Sequence, residues 1–204
     1  MIANLLIIVF ILLAALWFSN QGLFSALLHL IVTLCAGALA FAFWEPLTIG
    51  FLIDRMPELA WGVGLLVPFI AAMLVIRVVL DMLVPGNVQF HNLVDMIGGG
   101  GVGILSAILA GGVLMIGLQF ISGFDIGGYK PYSISVNGKP ERTETLWVPV
   151  DQMAGTMLTQ LSGGTFLPWS GKSLGVYQPN VVERAGVFQL NSRTGARNAI
   201  RPAN

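Results

Sequence analysis

The sequence predicts an all-α membrane protein of four transmembrane helices with short loops, followed by a small α+β soluble C-terminal region built from a hairpin and an amphipathic helix. Three observations predict this. Of 204 residues, 55% are hydrophobic and only 10% charged, with a mean hydropathy of +0.81, a membrane composition. Four apolar runs approach or exceed the about 20 residues that carry a helix across about 30 Å of hydrocarbon, where backbone groups must pair within the segment. At Gly123 the composition changes to that of an ordinary soluble chain, and eight of the ten bases (Lys130, Lys139, Arg142, Lys172, Arg184, Arg193, Arg197 and Arg201) fall beyond it.

Residues 1–122 therefore read as the transmembrane domain. The first run, Met1 to Phe18, has no Lys or Arg ahead of it and no small-x-small cleavage site after it, so it reads as a span and not as a signal peptide. "WFSNQG" is a tight polar turn that folds the second span, Leu23 to Trp44, back on the first. The third span is Leu59 to Val84. The longer connection before it, "EPLTIGFLIDRMPE", is placed at the membrane interface with Trp44 and Trp61 as belt residues. The fourth span is Ile97 to Ser122, with His91 and Asp95 in the loop before it.

Residues 123–180 read as a small soluble module. "YSISVNGKPERTETLWVPV" alternates apolar and polar residues around Asn137-Gly138, a dipeptide suited to a type I′ turn, which predicts a hairpin. "VDQMAGTMLTQLSGG" places Val150, Met153, Ala154, Met157, Leu158 and Leu161 on one helical face, with Asp151 and Gln160 elsewhere and Gly163-Gly164 as the stop. That face either packs on the hairpin or lies along the membrane surface. Residues 181–204 form a polar, basic tail with a disordered composition. The bases of the C-terminal region are spread among five acids, which argues against nucleic-acid binding. Cys35, the only cysteine, excludes an internal disulfide and a thiolate cluster.

The stretch "DMIGGGGVGILSAILAGGVLM" raises a nucleotide loop first. No Lys or Arg follows these glycines before Lys130, and "GVGILS" lacks the third glycine of a dinucleotide fingerprint, so both nucleotide readings fail. On a helix, Gly99, Gly103, Ala107 and Gly111 recur every four residues as a nearly bare stripe. Hydrocarbon gives no hydrophobic drive between helices, so close van der Waals packing along such a stripe is a main source of association. The small faces of the second span, Ala36 with Ala40 or Ala38 with Ala42, are the expected partners. Gly98 and Gly100 lie off the stripe and mark the place to expect a bend, since glycine weakens a helix by about 1 kcal/mol relative to alanine.

Arg77 and Asp81 stand at i and i+4 on the third span and can neutralise each other. Two readings stand: Arg77 snorkels to the headgroups beside an interfacial Asp81, or the pair forms part of a proton or ion relay. His29, alone on an apolar stretch, reads first as a helix-to-helix hydrogen bond. Ser106 has no glycine-flanked turn, and the two histidines have no neighbouring ligands, so neither an intramembrane protease nor a metal site is expected. No catalytic residue, metal or cofactor is predicted, and the chain reads as a non-enzyme.

Four spans, a tight first turn containing Gly22, and Asp95 followed by Gly99 and Gly103 resemble the colicin V production protein (CvpA) family of bacterial inner-membrane proteins. That family opens its fourth span with L-D-R-x-x-G-x-x-x-G, often with a further glycine four residues on, where Ala107 stands here. Met96 replaces the arginine. The family's basic first turn is "QGLFSA" in this chain, which keeps only Gly22. The resemblance covers residues 1–122. It implies an integral inner-membrane protein with a role in toxin (colicin V) production or export and no established catalytic chemistry.

These readings converge on a membrane scaffold or accessory subunit. Its expected partners are membrane lipids and either a second protein or a second copy met through the transmembrane helices, without nucleic acid. The alternative is a small transporter or channel subunit with a polar path through His29, Arg77, Asp81 and Asp95. Arg55, Lys130, Lys139 and Arg142 share one side of the four spans, so positive-inside counting places both termini in the cytoplasm, whereas the family pattern would place them outside.

Overall fold

A computed structural model describes residues 2–84, 91–121, 127–129, 132–134, 140–142 and 144–165. Helix α1 (Ile2–Gln21) is followed by α2 (Leu23–Leu47), a π-helical turn (Thr48–Leu52), α3 (Ala60–Leu83) and α4 (Asn92–Gln119). Two short strands, β1 (Tyr132–Ile134) and β2 (Pro140–Arg142), pair antiparallel with Ser133 opposite Glu141. Helix α5 (Val150–Thr165) follows. Helices α1 to α4 are long and apolar enough to cross a membrane, as the hydrophobic runs require. The Asn137-Gly138 turn, and the tail with its bases from Lys172 onward, lie outside the described residues.

The helices run further than their apolar cores. The polar "SNQ" continues α1, and the first turn shrinks to Gly22, whose φ of +91° no L side chain adopts without strain. Pro46, without an N–H, sits near the end of α2. The Thr48 hydroxyl then donates to the Trp44 carbonyl at 2.7 Å and stands 3.4 Å from the Ala60 carbonyl, tying the π-helical turn to the start of α3. At the other end of the bundle, α4 begins at Asn92 with His91 as its N-cap residue, so Asp95 lies in the first helical turn and not in the loop.

Helix α4 is the axis of the fold, with α1, α2, α3 and α5 all packed on it. Two apolar cores lie on either side. One joins Ala36, Ala40, Phe41 and Trp44 of α2 with Trp61, Leu65 and Phe69 of α3 and Ala110, Val113, Ile116 and Phe120. The other joins Ala3, Ile7 and Ile11 of α1 with Ala107 and Met115 of α4 and with Tyr129, Leu146 and Val150.

Trp44 and Trp61 are therefore core residues and not an exposed belt. Trp44 is fully buried, its indole N–H donates to the Trp61 carbonyl at 3.0 Å, and the two rings meet edge-on at 5.5 Å. An indole suits the interface or an interior equally, provided its N–H is satisfied, and here the backbone satisfies it. Among the described residues the exposed tryptophans are Trp17 and Trp147.

Candidate functional site

Gly22, Asp95 and Gly99 meet at one junction. The Leu23 N–H, at the start of α2, donates to Asp95 Oδ1 at 3.2 Å. A Cβ placed on the neighbouring Gly22 would stand 3.3 Å from the same oxygen. Asp95 also occupies the first turn of α4, so one carboxylate serves two helix N-termini, where unsatisfied N–H groups and the helix dipoles favour negative charge. Beside it, the Ser19 hydroxyl donates to the Met96 carbonyl at 2.9 Å. Met96 thus contributes its backbone to the junction.

The glycines of α4 each admit a particular neighbour. A Cβ on Gly99 would lie 2.6 Å from the Phe18 carbonyl oxygen and 3.0 Å from the Gly22 carbonyl carbon, backbone that has no side chain to swing aside. One on Gly103 would lie 2.8 Å from Phe18 Cβ, and one on Gly111 would touch the Phe10 ring at 3.4 Å. Ala107 packs in the α1 core. The stripe Gly99, Gly103, Ala107 and Gly111 is thus a seam, but its partner is α1 and not the small face of α2.

That correction has a steric reason. α1 presents Phe10 and Phe18 to the stripe, so bulky side chains fill the groove that bare glycine leaves. Ala36 and Ala40 pack instead with Ala110 and Val113 on another side of α4.

Gly98 and Gly100 belong to the same docking. A Cβ on Gly98 would lie 3.0 Å from Leu23 Cδ1 and one on Gly100 2.6 Å from Ser19 Oγ, and α4 runs through both positions as continuous helix. Gly112 admits Val150 and Ala154 of α5, and Gly117 admits Leu66 of α3. Gly101 has nothing within 4 Å.

The candidate polar path divides into two places. Arg77 Nε donates to Asp81 Oδ2 at 3.1 Å on the outer part of α3, with side chains 32% and 56% exposed. The His29 ring stands 4.8 Å from that of Phe18. Asp95 is engaged separately, at the α2 N-terminus.

Three buried polar features escape a reading of the sequence. Thr33 and Ser106 hydroxyls pair at 3.1 Å between α2 and α4. Gln119 is fully buried, with neither side-chain nitrogen nor oxygen hydrogen bonded among the described residues. Asp151, expected off the packed face of α5, is fully buried, with the Tyr129 hydroxyl donating to Oδ2 at 3.3 Å. A single hydroxyl in an apolar run, such as Ser106, was the only available signal. It names no partner without the helix pairing. Among the described residues no group of three or more His, Cys, Asp or Glu side chains could hold a metal ion.

Comparison of the chain with protein-family models, with curated proteins and with solved structures finds no match.

Proposed function

We propose that this chain is a non-enzymatic membrane scaffold or accessory subunit of the bacterial inner membrane, resembling the colicin V production family, with an implied role in toxin production or export. The convergence of Gly22, Asp95 and Gly99 carries this reading. Gly22 lies far in sequence from Asp95 and Gly99, yet all three serve a single lock between α1, α2 and α4, as expected where the motif's work is to hold a frame. In this reading the hairpin of the C-terminal region recruits the partner from the cytoplasmic side. The seam is consumed internally by α1, so the partner's surface lies elsewhere. The outer face of α3 and the C-terminal region remain for it.

The test is purification in mild detergent combined with in-cell photocrosslinking from Glu144 and from the tail. A defined complex or homo-oligomer, captured reproducibly and lost when Asp95 is replaced, supports the reading. A lone monomer without a crosslinked protein ends it.

The Arg77–Asp81 ion pair on a helix able to cross a membrane favours a second reading, a small transporter or channel subunit with a polar path through His29, Arg77, Asp81 and Asp95. Arg77→Gln with Asp81→Asn would then abolish proton or ion flux in liposomes while the protein stays folded.

A further inference from the structure

We infer that α5 is a membrane-inserted helix that takes the place of lipid on the inward half of α4, with the acyl chains of the bilayer as the partner of its outer face. Its depth is set by Gly112. The Val150 carbonyl and the Ala154 methyl lie against that glycine, seven residues before the end of α4, or about 10 Å along the helix axis at about 1.5 Å per residue.

Val94, Ile97, Ile104 and Leu105 are exposed large apolar side chains on the half nearer the N-terminus of α4, and Gly101 between them is open. Helical spacing puts Gly112 on the side of α4 that carries Val94, Gly101 and Leu105. Lipid covers the first half of that side in a membrane, and α5 covers the rest.

The side chains of α5 are arranged for that setting. Asp151, Ala154 and Gly155 are buried, whereas Met153 is exposed. A helix bathed in water would turn the carboxylate out and the methionine in; this one does the reverse. Just before it, the Trp147 N–H donates to Asn4 Oδ1 in the first turn of α1 at 2.9 Å, and the Trp147 side chain is exposed. An exposed indole beside the polar end of a span is the usual interfacial anchor, and α5 begins three residues further in. The boundary of the membrane domain then moves past residue 122 to include α5, whatever the function of the chain.

The test uses the full chain with Cys35→Ala, reconstituted in phosphatidylcholine and phosphatidylglycerol vesicles. Single cysteines are placed at Met153, at Thr156 on the same exposed side, and at the exposed Glu144 as reference. Fluorophores at 153 and 156 are expected to be quenched more by nitroxides on the acyl chain than by nitroxides on the headgroup. Both cysteines are expected to react severalfold more slowly than that at 144 with a membrane-impermeant maleimide applied to both sides. Reaction at 153 and 156 as fast as at 144, with no acyl-chain quenching, would overturn the inference. Retention of the parent's thermal unfolding profile by each variant shows that the fold is intact. If the Met153 variant lacks it, the Thr156 variant decides alone.

Discussion

Helices α3 and α4 are both apolar and both long enough to span a bilayer, yet 61% of the most apolar stretch of α4 is buried inside the fold and only 17% of that of α3. Hydropathy does not separate them. What separates them is side-chain size. α4 is rich in glycine and alanine and admits four neighbours at close range, whereas α3 carries Val67, Ile70, Leu74, Val75, Val78 and Val79 outward, as a lipid-facing helix does. Within a membrane, a small residue marks an inside surface more reliably than an apolar one, because large apolar groups gain nothing by leaving lipid.

Substitutions that enlarge α4 break this comparison most severely. Gly103→Leu drives a side chain into Phe18. Overpacking costs about 1–3 kcal/mol where a core can adjust. Here α1 and α4 cannot part without losing the Ser19–Met96 hydrogen bond, so the expected result is loss of the folded monomer in detergent, seen as aggregation in size-exclusion chromatography.

Asp95→Ala comes next. Removal of the carboxylate leaves the α2 N-terminus uncapped and should lower unfolding stability by about 1–2 kcal/mol. Asp95→Asn, which keeps an acceptor oxygen, should lose less. Equal losses would show that charge, and not the hydrogen bond to Leu23, is what matters.

Thr33→Val and Ser106→Ala sharpen the view of α4 from its α2 side. Their coupling in a double-mutant cycle should be about 0.6 kcal/mol, the average for hydrogen bonds between membrane helices. The smallest effect belongs to α3. Val78→Ala faces outward and should change stability by less than about 0.5 kcal/mol in the same measurement; a cost of several times that would mean its face is covered.

The four spans were legible because backbone desolvation imposes a length that composition reveals directly. The seam was legible as a face because glycine at every fourth position has one geometric meaning on a helix. Its partner was not, since periodicity orients a side chain without saying what stands opposite. Small faces on α2 looked complementary to it, yet the groove took Phe18 and Phe10.

Asp95 was misplaced in a loop because Asn92 and Asp95 interrupt the apolar run, and a polar first turn looks like a loop until the helix N-terminus of α2 is seen to need its carboxylate. For α5 the apolar face reads equally as packed on the hairpin or turned to the membrane; Val150 and Ala154 of that face are buried, Met153 of the same face is exposed, and Asp151, off it, is buried.

The central claim, that the glycines of α4 are there for what touches them, is tested most directly by the thermal or denaturant stability of Gly99→Ala beside Gly101→Ala. Both lie in the same turn of one helix and gain the same helix propensity, about 1 kcal/mol at most. They differ in surroundings: the backbone of Phe18 and Gly22 presses on the first, and nothing lies within 4 Å of the second. The expected result is that Gly99→Ala is less stable than the parent by about 2 kcal/mol or more, with Gly101→Ala equal to it or more stable. Two variants of equal stability would contradict the account.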